Sequence, residues 1–185
     1  MPRSITHEGG LRHTATEVSR FYDEIGHLQP KLAVVLVQLP PTLEFTAMTV
    51  RSFFKGLPRL EGIVVTCEPR HESWFSRAAD DALRRVNVSR VAADPARCPS
   101  SDVPGGARNF AYFRWHGAPR MYYSRYANSR LASFATTVAK TEAMDSWCIF
   151  DNTARYAAWD DALRFIALVG SATRRSRTSI ADPDS

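Results

Sequence analysis

The chain has 185 residues, 44% hydrophobic and 23% charged, the make-up of an ordinary soluble globular protein with one sizeable core. Its longest apolar run, Leu32 to Val37, is far short of the ~20 residues a membrane span needs, which excludes a helical span. The net charge of +5 permits nucleic acid or another anionic partner, but the basic residues are spread along the chain rather than gathered in a stripe.

No apolar h-region follows Met1-Pro2-Arg3, so no secretory signal is expected. Cys67, Cys98 and Cys148 are odd in number and widely spaced, and they make neither a disulfide framework nor a zinc knuckle. A reducing cytoplasm fits them.

Thr14-Ala15-Thr16-Glu17 reads as a capping box, followed by Val18, Phe21, Tyr22, Ile25 and Leu28 at helical spacing. Leu32 to Val37 is an expected strand, apolar and β-branched enough to be buried on both faces. Met48, Val50, Phe53, Phe54 and Leu57 mark a second helix, stopped by Gly56 and Pro58. Gly62 to Cys67 is the next strand, and Ser76 can cap a helix carrying Ala79, Leu83 and Val86. Val88 to Ala93 is a short strand. Residues 95–108, rich in Pro, Gly and Ser, read as a long loop with the length of a lid. Asn109 to Trp115 is a strand, and an aromatic loop follows with Tyr122, Tyr123 and Tyr126. Asn128 can cap a helix with Leu131, Phe134 and Val138. Ser146 to Phe150 is the last strand, and a helix from Thr153 is stopped by Gly170. Residues 1–170 form one expected domain, and 171–185 an expected disordered polar tail.

Strand-helix units with apolar strands predict an α/β architecture with parallel strands. Each of the five strands runs into polar residues: Gln38; Glu68, Arg70 and His71; Asp94; Arg114 and His116; Asp151 and Asn152. Polar groups at the same end of every strand are the mark of a TIM-type (β/α) barrel, whose site lies on the C-terminal rim. Only about five of the eight strand-helix units of such a barrel are expected here.

Glu68, His71, His116 and Asp94 are the candidate catalytic residues. A carboxylate beside a guanidinium stays ionised, and a histidine near neutral pH gives or takes a proton. A Glu68–Arg70 pair can equally knit the rim together. His7, Gln38, Arg70, Arg114, Tyr123, Asp151 and Asn152 are the candidate substrate-binding residues. Arg70 and Arg114 suit a bidentate grip on carboxylate or phosphate. Gln38 either reaches a ligand or satisfies the backbone at its strand end. Asp151-Asn152-Thr153 either joins the site or caps the last helix. Tyr122, Tyr123 and Tyr126 can line a pocket or stack a base or sugar ring.

Asp94, Asp151, Glu68, His7, His71 and His116 can supply ligands to a divalent metal, although no metal-binding spacing is present. No nucleophile elbow, Walker loop or dinucleotide fingerprint occurs. Two function classes therefore stand. One is an enzyme acting on a small anionic metabolite, and the other is a module that binds nucleic acid or a nucleotide.

Ile5-Thr6-His7, Gln38-Leu39-Pro40-Pro41, Glu68-Pro69-Arg70-His71-Glu72-Ser73-Trp74-Phe75, Arg114-Trp115-His116-Gly117 and Phe150-Asp151-Asn152 together resemble the YecE-like family, a bacterial domain of unknown function. The segments occur in the family's order and cover nearly all the chain except the tail. The resemblance implies a TIM barrel of uncharacterised activity. Pro69 departs from the aromatic residue that the family usually carries between the Glu and the Arg-His pair. The family also carries roughly three strands before its Thr-His segment. The resemblance therefore implies an N-terminally truncated barrel, prone to self-association through open sheet edges or without function. A misplaced start codon is its expected cause.

Overall fold

The computed structural model describes residues 1–178, so residues 179–185 of the expected tail lie outside the described residues. The chain divides into two compact units. The first is Met1–Phe113 with Ala143–Trp147, and the second is Arg114–Glu142 with the residues from Cys148 on.

In the first unit, α1 (Ala15–Gly26) buries Val18 and Tyr22, the centre of the expected apolar stripe. Thr14 is not the cap that the spacing suggests. Its backbone lies outside the extended region and its side chain makes no capping bond, although its carbonyl accepts from Val18 N at 2.8 Å. Strand β1 (Val34–Gln38) starts later than expected, after a tight turn over Gln29–Lys31. It alternates rather than being buried on both faces: Val35 and Val37 are buried, while Val34, Leu36 and Gln38 are half-buried.

The second expected helix is short as an α-helix, α2 (Ala47–Thr49), and runs on as a wider turn over Val50–Phe54. Thr46 caps it by accepting from Thr49 N at 3.0 Å. Val50, Phe53 and Phe54 are buried, whereas Met48, expected on the same face, is exposed. Strand β2 (Val64–Glu68) lies parallel to β1, with Gln38 opposite Glu68. Helix α3 (Arg77–Arg85) starts at Ser76, whose hydroxyl accepts from Ala79 N at 3.3 Å, as the spacing predicts.

The stretch Val88 to Ala93 is two strands. β3 (Ser89–Arg90) pairs parallel with β2, and β4 (Ala92–Asp94) belongs to another sheet. Residues 95–108, expected as loop, contain β5 (Gly105–Gly106), antiparallel to β3. Buried Arg90 ties this segment down: it bonds Asp80 through Nε at 2.8 Å and Ser100 O through Nη1 at 3.1 Å. Gly106 N donates to the same Asp80 carboxylate at 3.0 Å. Trp74, fully buried, donates its indole N–H to Leu43 O at 2.8 Å and belongs to the core.

The sheets have the orders β1-β2-β3-β5 and β4-β6-β7, where β6 is Phe110–Trp115 and β7 is Asp145–Phe150. Among the described residues the fold is α/β with parallel pairing and no closed barrel.

In the second unit, Trp115 stacks on Phe134 with ring centres 4.2 Å apart and meets Phe150 and Phe165 edge-on. Phe134 lies on α4 (Asn128–Ala139) and Phe165 on α5 (Ala157–Thr178). Asn128 is not a cap; it lies inside the first turn of α4, and its side-chain oxygen accepts from Arg164. Helix α5 starts at Ala157, not Thr153, because residues 153–156 form a turn in which Tyr156 takes a positive φ of 59°. It also passes through Gly170 into the expected disordered tail. A single glycine costs a helix about 1 kcal/mol and does not by itself end it.

Candidate functional site

In the first unit the polar groups gather where β2 ends. Glu68 closes the strand with its side chain 1% exposed, and Arg70 Nη2 donates to Glu68 Oε1 at 2.8 Å. The i, i+2 spacing of an extended chain puts both on one face, as expected. Arg70 is only 9% exposed, and its Nε is buried without a hydrogen-bond partner. A buried donor without a partner costs about 1–3 kcal/mol.

His71 turns away from this pair. Its Nδ1 accepts from Ser73 N at 3.3 Å and meets Ser73 Oγ at 2.9 Å, capping the short turn Glu72–Phe75. His7 is half-buried, with Nδ1 2.8 Å from Thr6 Oγ1. Desolvation holds its pKa below the usual 6.5, and the positive charges of Arg3 and Arg70 push the same way. Gln38 is half-buried beside Glu68 in register, and Asp94 ends β4 in a buried position.

In the second unit Asp151 is the hub. Its Oδ2 accepts from Arg114 Nη2 at 2.6 Å and from His116 Nδ1 at 2.9 Å, and its own N–H donates to Trp115 O. His116 is 2% exposed and meets the Tyr122 ring edge-on at 5.5 Å. A carboxylate at Nδ1 favours the tautomer that carries its proton there, which makes Nε2 the acceptor nitrogen.

The glycine after His116 does bring the backbone close to another group, but that group is protein. At φ +90°, a Cβ on Gly117 would sit 2.7 Å from Ser124 O and 2.9 Å from Asn152 Cβ. Asn152 is fully buried; it donates to Ser124 O at 2.9 Å and to Asp161 Oδ2 at 2.7 Å. The tyrosines divide. Tyr122 and Tyr123 are exposed, with the Arg120 guanidinium 3.9 Å over the Tyr123 ring. Tyr126 is buried, and its hydroxyl accepts from Gly117 N at 2.7 Å, so it offers no stacking surface.

Two networks escaped sequence reasoning, Asp80–Arg90–Gly106 and Asn152–Asp161–Arg164–Tyr126. The i, i+3 spacing of Asp161 and Arg164 on α5 was the available signal for the second. Among the described residues no three of His, Cys, Asp or Glu are grouped so that they could hold a metal ion. The cysteines are free; burial pushes the Cys67 thiol well up and that of Cys148 to about 12, which keeps both protonated. No helix among the described residues is long and apolar enough to cross a membrane.

The chain is similar in fold to a DUF72 family protein of Thermotoga maritima, with a TM-score of 0.77 and 21% identity over 91% of this chain and 71% of the other. It is also similar to a DUF72 family protein of Enterococcus faecalis, with a TM-score of 0.70 and 22% identity over 88% of this chain and 72% of the other. No curated protein matches it. The family model described as "Protein of unknown function DUF72" matches residues 1–184, and the YecE-like name denotes the same family. The chain belongs to the DUF72 family.

Proposed function

We propose that the protein is an enzyme of the (β/α)-barrel class that acts on a small anionic metabolite at the C-terminal ends of its strands. The observation that carries this is Arg70: a guanidinium held by Glu68, nearly buried, with its Nε–H unsatisfied. An anionic oxygen from a ligand would complete that hydrogen bonding and satisfy the buried donor. His7, kept neutral by burial and by neighbouring positive charge, lies in the field of Arg70 and suits a proton acceptor. Within the second unit, taken by itself, Asp151 orients His116 for acid-base work and holds the Arg114 guanidinium beside it. In the first unit the same proposal gives Asp94 and His71 acid-base roles and Gln38 a ligand contact; in the second it gives ligand contacts to Tyr123 and Asn152.

Arg70→Lys is the informative variant, because it keeps the charge beside Glu68 and removes the Nε–H. Calorimetric titration with malonate is expected to show saturable binding to the unaltered protein. The variant should bind at least tenfold more weakly with no fall in melting temperature. Equal affinity in the two proteins would overturn the assignment of Arg70.

Self-association belongs to the same proposal. Strand β7 is the edge of its sheet, and the second unit exposes Tyr156 and Trp159 beside a cavity of about 420 Å³ lined by Cys148, Phe150 and Ala162. Trp159→Glu is expected to lower the sedimenting mass to that of one chain. Three free cysteines support a cytoplasmic location. The net charge of +5 keeps nucleic-acid binding as the alternative, recognised by a steep loss of affinity with salt.

A further inference from the structure

A second cavity lies in the first unit, and neither Glu68 nor Arg70 lines it. Its walls are the segment from α2 to Arg59, which leads into the start of β2, and the end of α3, which leads into β3. It has a volume of about 640 Å³, within the range of roughly 300–1,000 Å³ typical of small-molecule sites.

Four cationic side chains line it, Arg51, Lys55, Arg59 and Arg85, and no carboxylate does. None of the four makes an ion pair among the described residues. The two acids on α3 are engaged elsewhere, Asp81 by Arg84 and Arg77 and Asp80 by Arg90. Val50 and Ala82, both buried, and the half-buried Val86 form an apolar floor.

Helix ends explain part of this charge. Arg85 lies in the last turn of α3, and Arg59 Nη2 donates to Val86 O at 2.8 Å just beyond it. Lys55 follows the turn that extends α2. The carbonyl end of a helix presents roughly half a negative charge, so two such ends offset about one of the four cations. About three positive charges therefore face one cavity without compensation, a repulsive arrangement that a polyanion would relieve.

We propose that this cavity binds a small organic anion carrying two or more phosphate groups, of nucleoside-diphosphate size. Arg51, Lys55 and Arg85 hold the phosphates, and Val50, Ala82 and Val86 receive the apolar body of the ligand. The site goes beyond the function proposed above and does not depend on Arg70.

Calorimetric titration with ADP tests it. Saturable binding is expected, weakened at least tenfold in the triple variant Arg51→Gln/Lys55→Gln/Arg85→Gln. All three side chains are exposed, so the variant should melt like the unaltered protein. Arg12→Gln, which removes an exposed cation outside the cavity, should bind ADP as the unaltered protein does. Absence of saturable ADP binding would overturn the proposal, as would equal affinity in the triple variant. Tighter binding of a single-stranded oligonucleotide than of ADP in the same titration, weakened in the triple variant, would also overturn it, by making the cavity part of a nucleic-acid surface.

Discussion

Arg70 donates from Nη2 to Glu68 Oε1 across 2.8 Å, and both side chains are almost sealed from water at the exit of β2. Removing one partner of a buried ion pair typically costs about 3–5 kcal/mol, because the other charge stays behind. Glu68→Ala is expected to lose stability in that range in urea unfolding. A loss under about 1 kcal/mol would mean that the pair is effectively solvated.

Asp161 has a comparable organising role in the second unit. It is fully buried, and it accepts from Tyr126 N at 3.0 Å, from Asn152 Nδ2 at 2.7 Å and from Arg164. Asp161→Ala leaves three donors without their acceptor. It should cost about 3 kcal/mol or more, judged from the penalty of unsatisfied buried groups. Asn152→Ala removes only one of those donors and should cost less. Equal losses in the two variants would remove Asp161 from the centre of the network.

Two glycines at positive φ separate backbone strain from crowding. Gly10 has φ +54° with open space where a Cβ would stand, whereas Gly106 has φ +67° with Val88 O and Arg90 N in the way. Each Gly→Ala change forces an L-residue into the left-handed region, at about 1 kcal/mol. Gly106→Ala should cost at least twice as much as Gly10→Ala in thermal unfolding, because the β3–β5 pairing must also shift.

The lowered pKa of His7 makes stability depend on pH with a definite sign. Desolvation, Arg3 and Arg70 all disfavour its proton in the folded chain. The unfolded chain then binds more protons, so stability is fully present above the ordinary pKa of 6.5 and falls as pH drops through it toward the folded value. His7→Gln should flatten the part of the melting-temperature profile that lies below about pH 6.5. An unchanged profile would assign the acid loss to other groups.

Much of the architecture is legible from local pattern. The spacing of Val18 and Tyr22 marks α1, Ser76 marks the start of α3, and the apolar run before Glu68 marks β2. Features set by distant partners are not. Nothing local to Gly105-Gly106 marks a strand, which exists because β3 and Asp80 receive those backbones. The break at Val91 is also tertiary: its N–H donates to Cys67 O at 2.8 Å, and the chain then enters a different sheet. At the site, the Glu68–Arg70 pairing follows from period-two geometry, while the Asp151–His116 bond joins residues 35 positions apart that only the fold brings together. The ring chemistry of His71 marks it as a proton carrier from sequence, but the capping bond of its Nδ1 to Ser73 has no sequence signature of its own.

The Nε–H of Arg70 is a single buried donor, and ¹⁵N–¹H spectroscopy of the arginine side chains observes it directly. The Arg70 Nε cross-peak is assigned by its loss in Arg70→Lys. Titration with malonate is expected to move that peak in a saturable way and slow its exchange with water, as a charged acceptor completes the buried donor. A peak that stays in place at every malonate concentration, while the backbone spectrum shows a folded chain, would contradict the assignment of Arg70 as the anion grip.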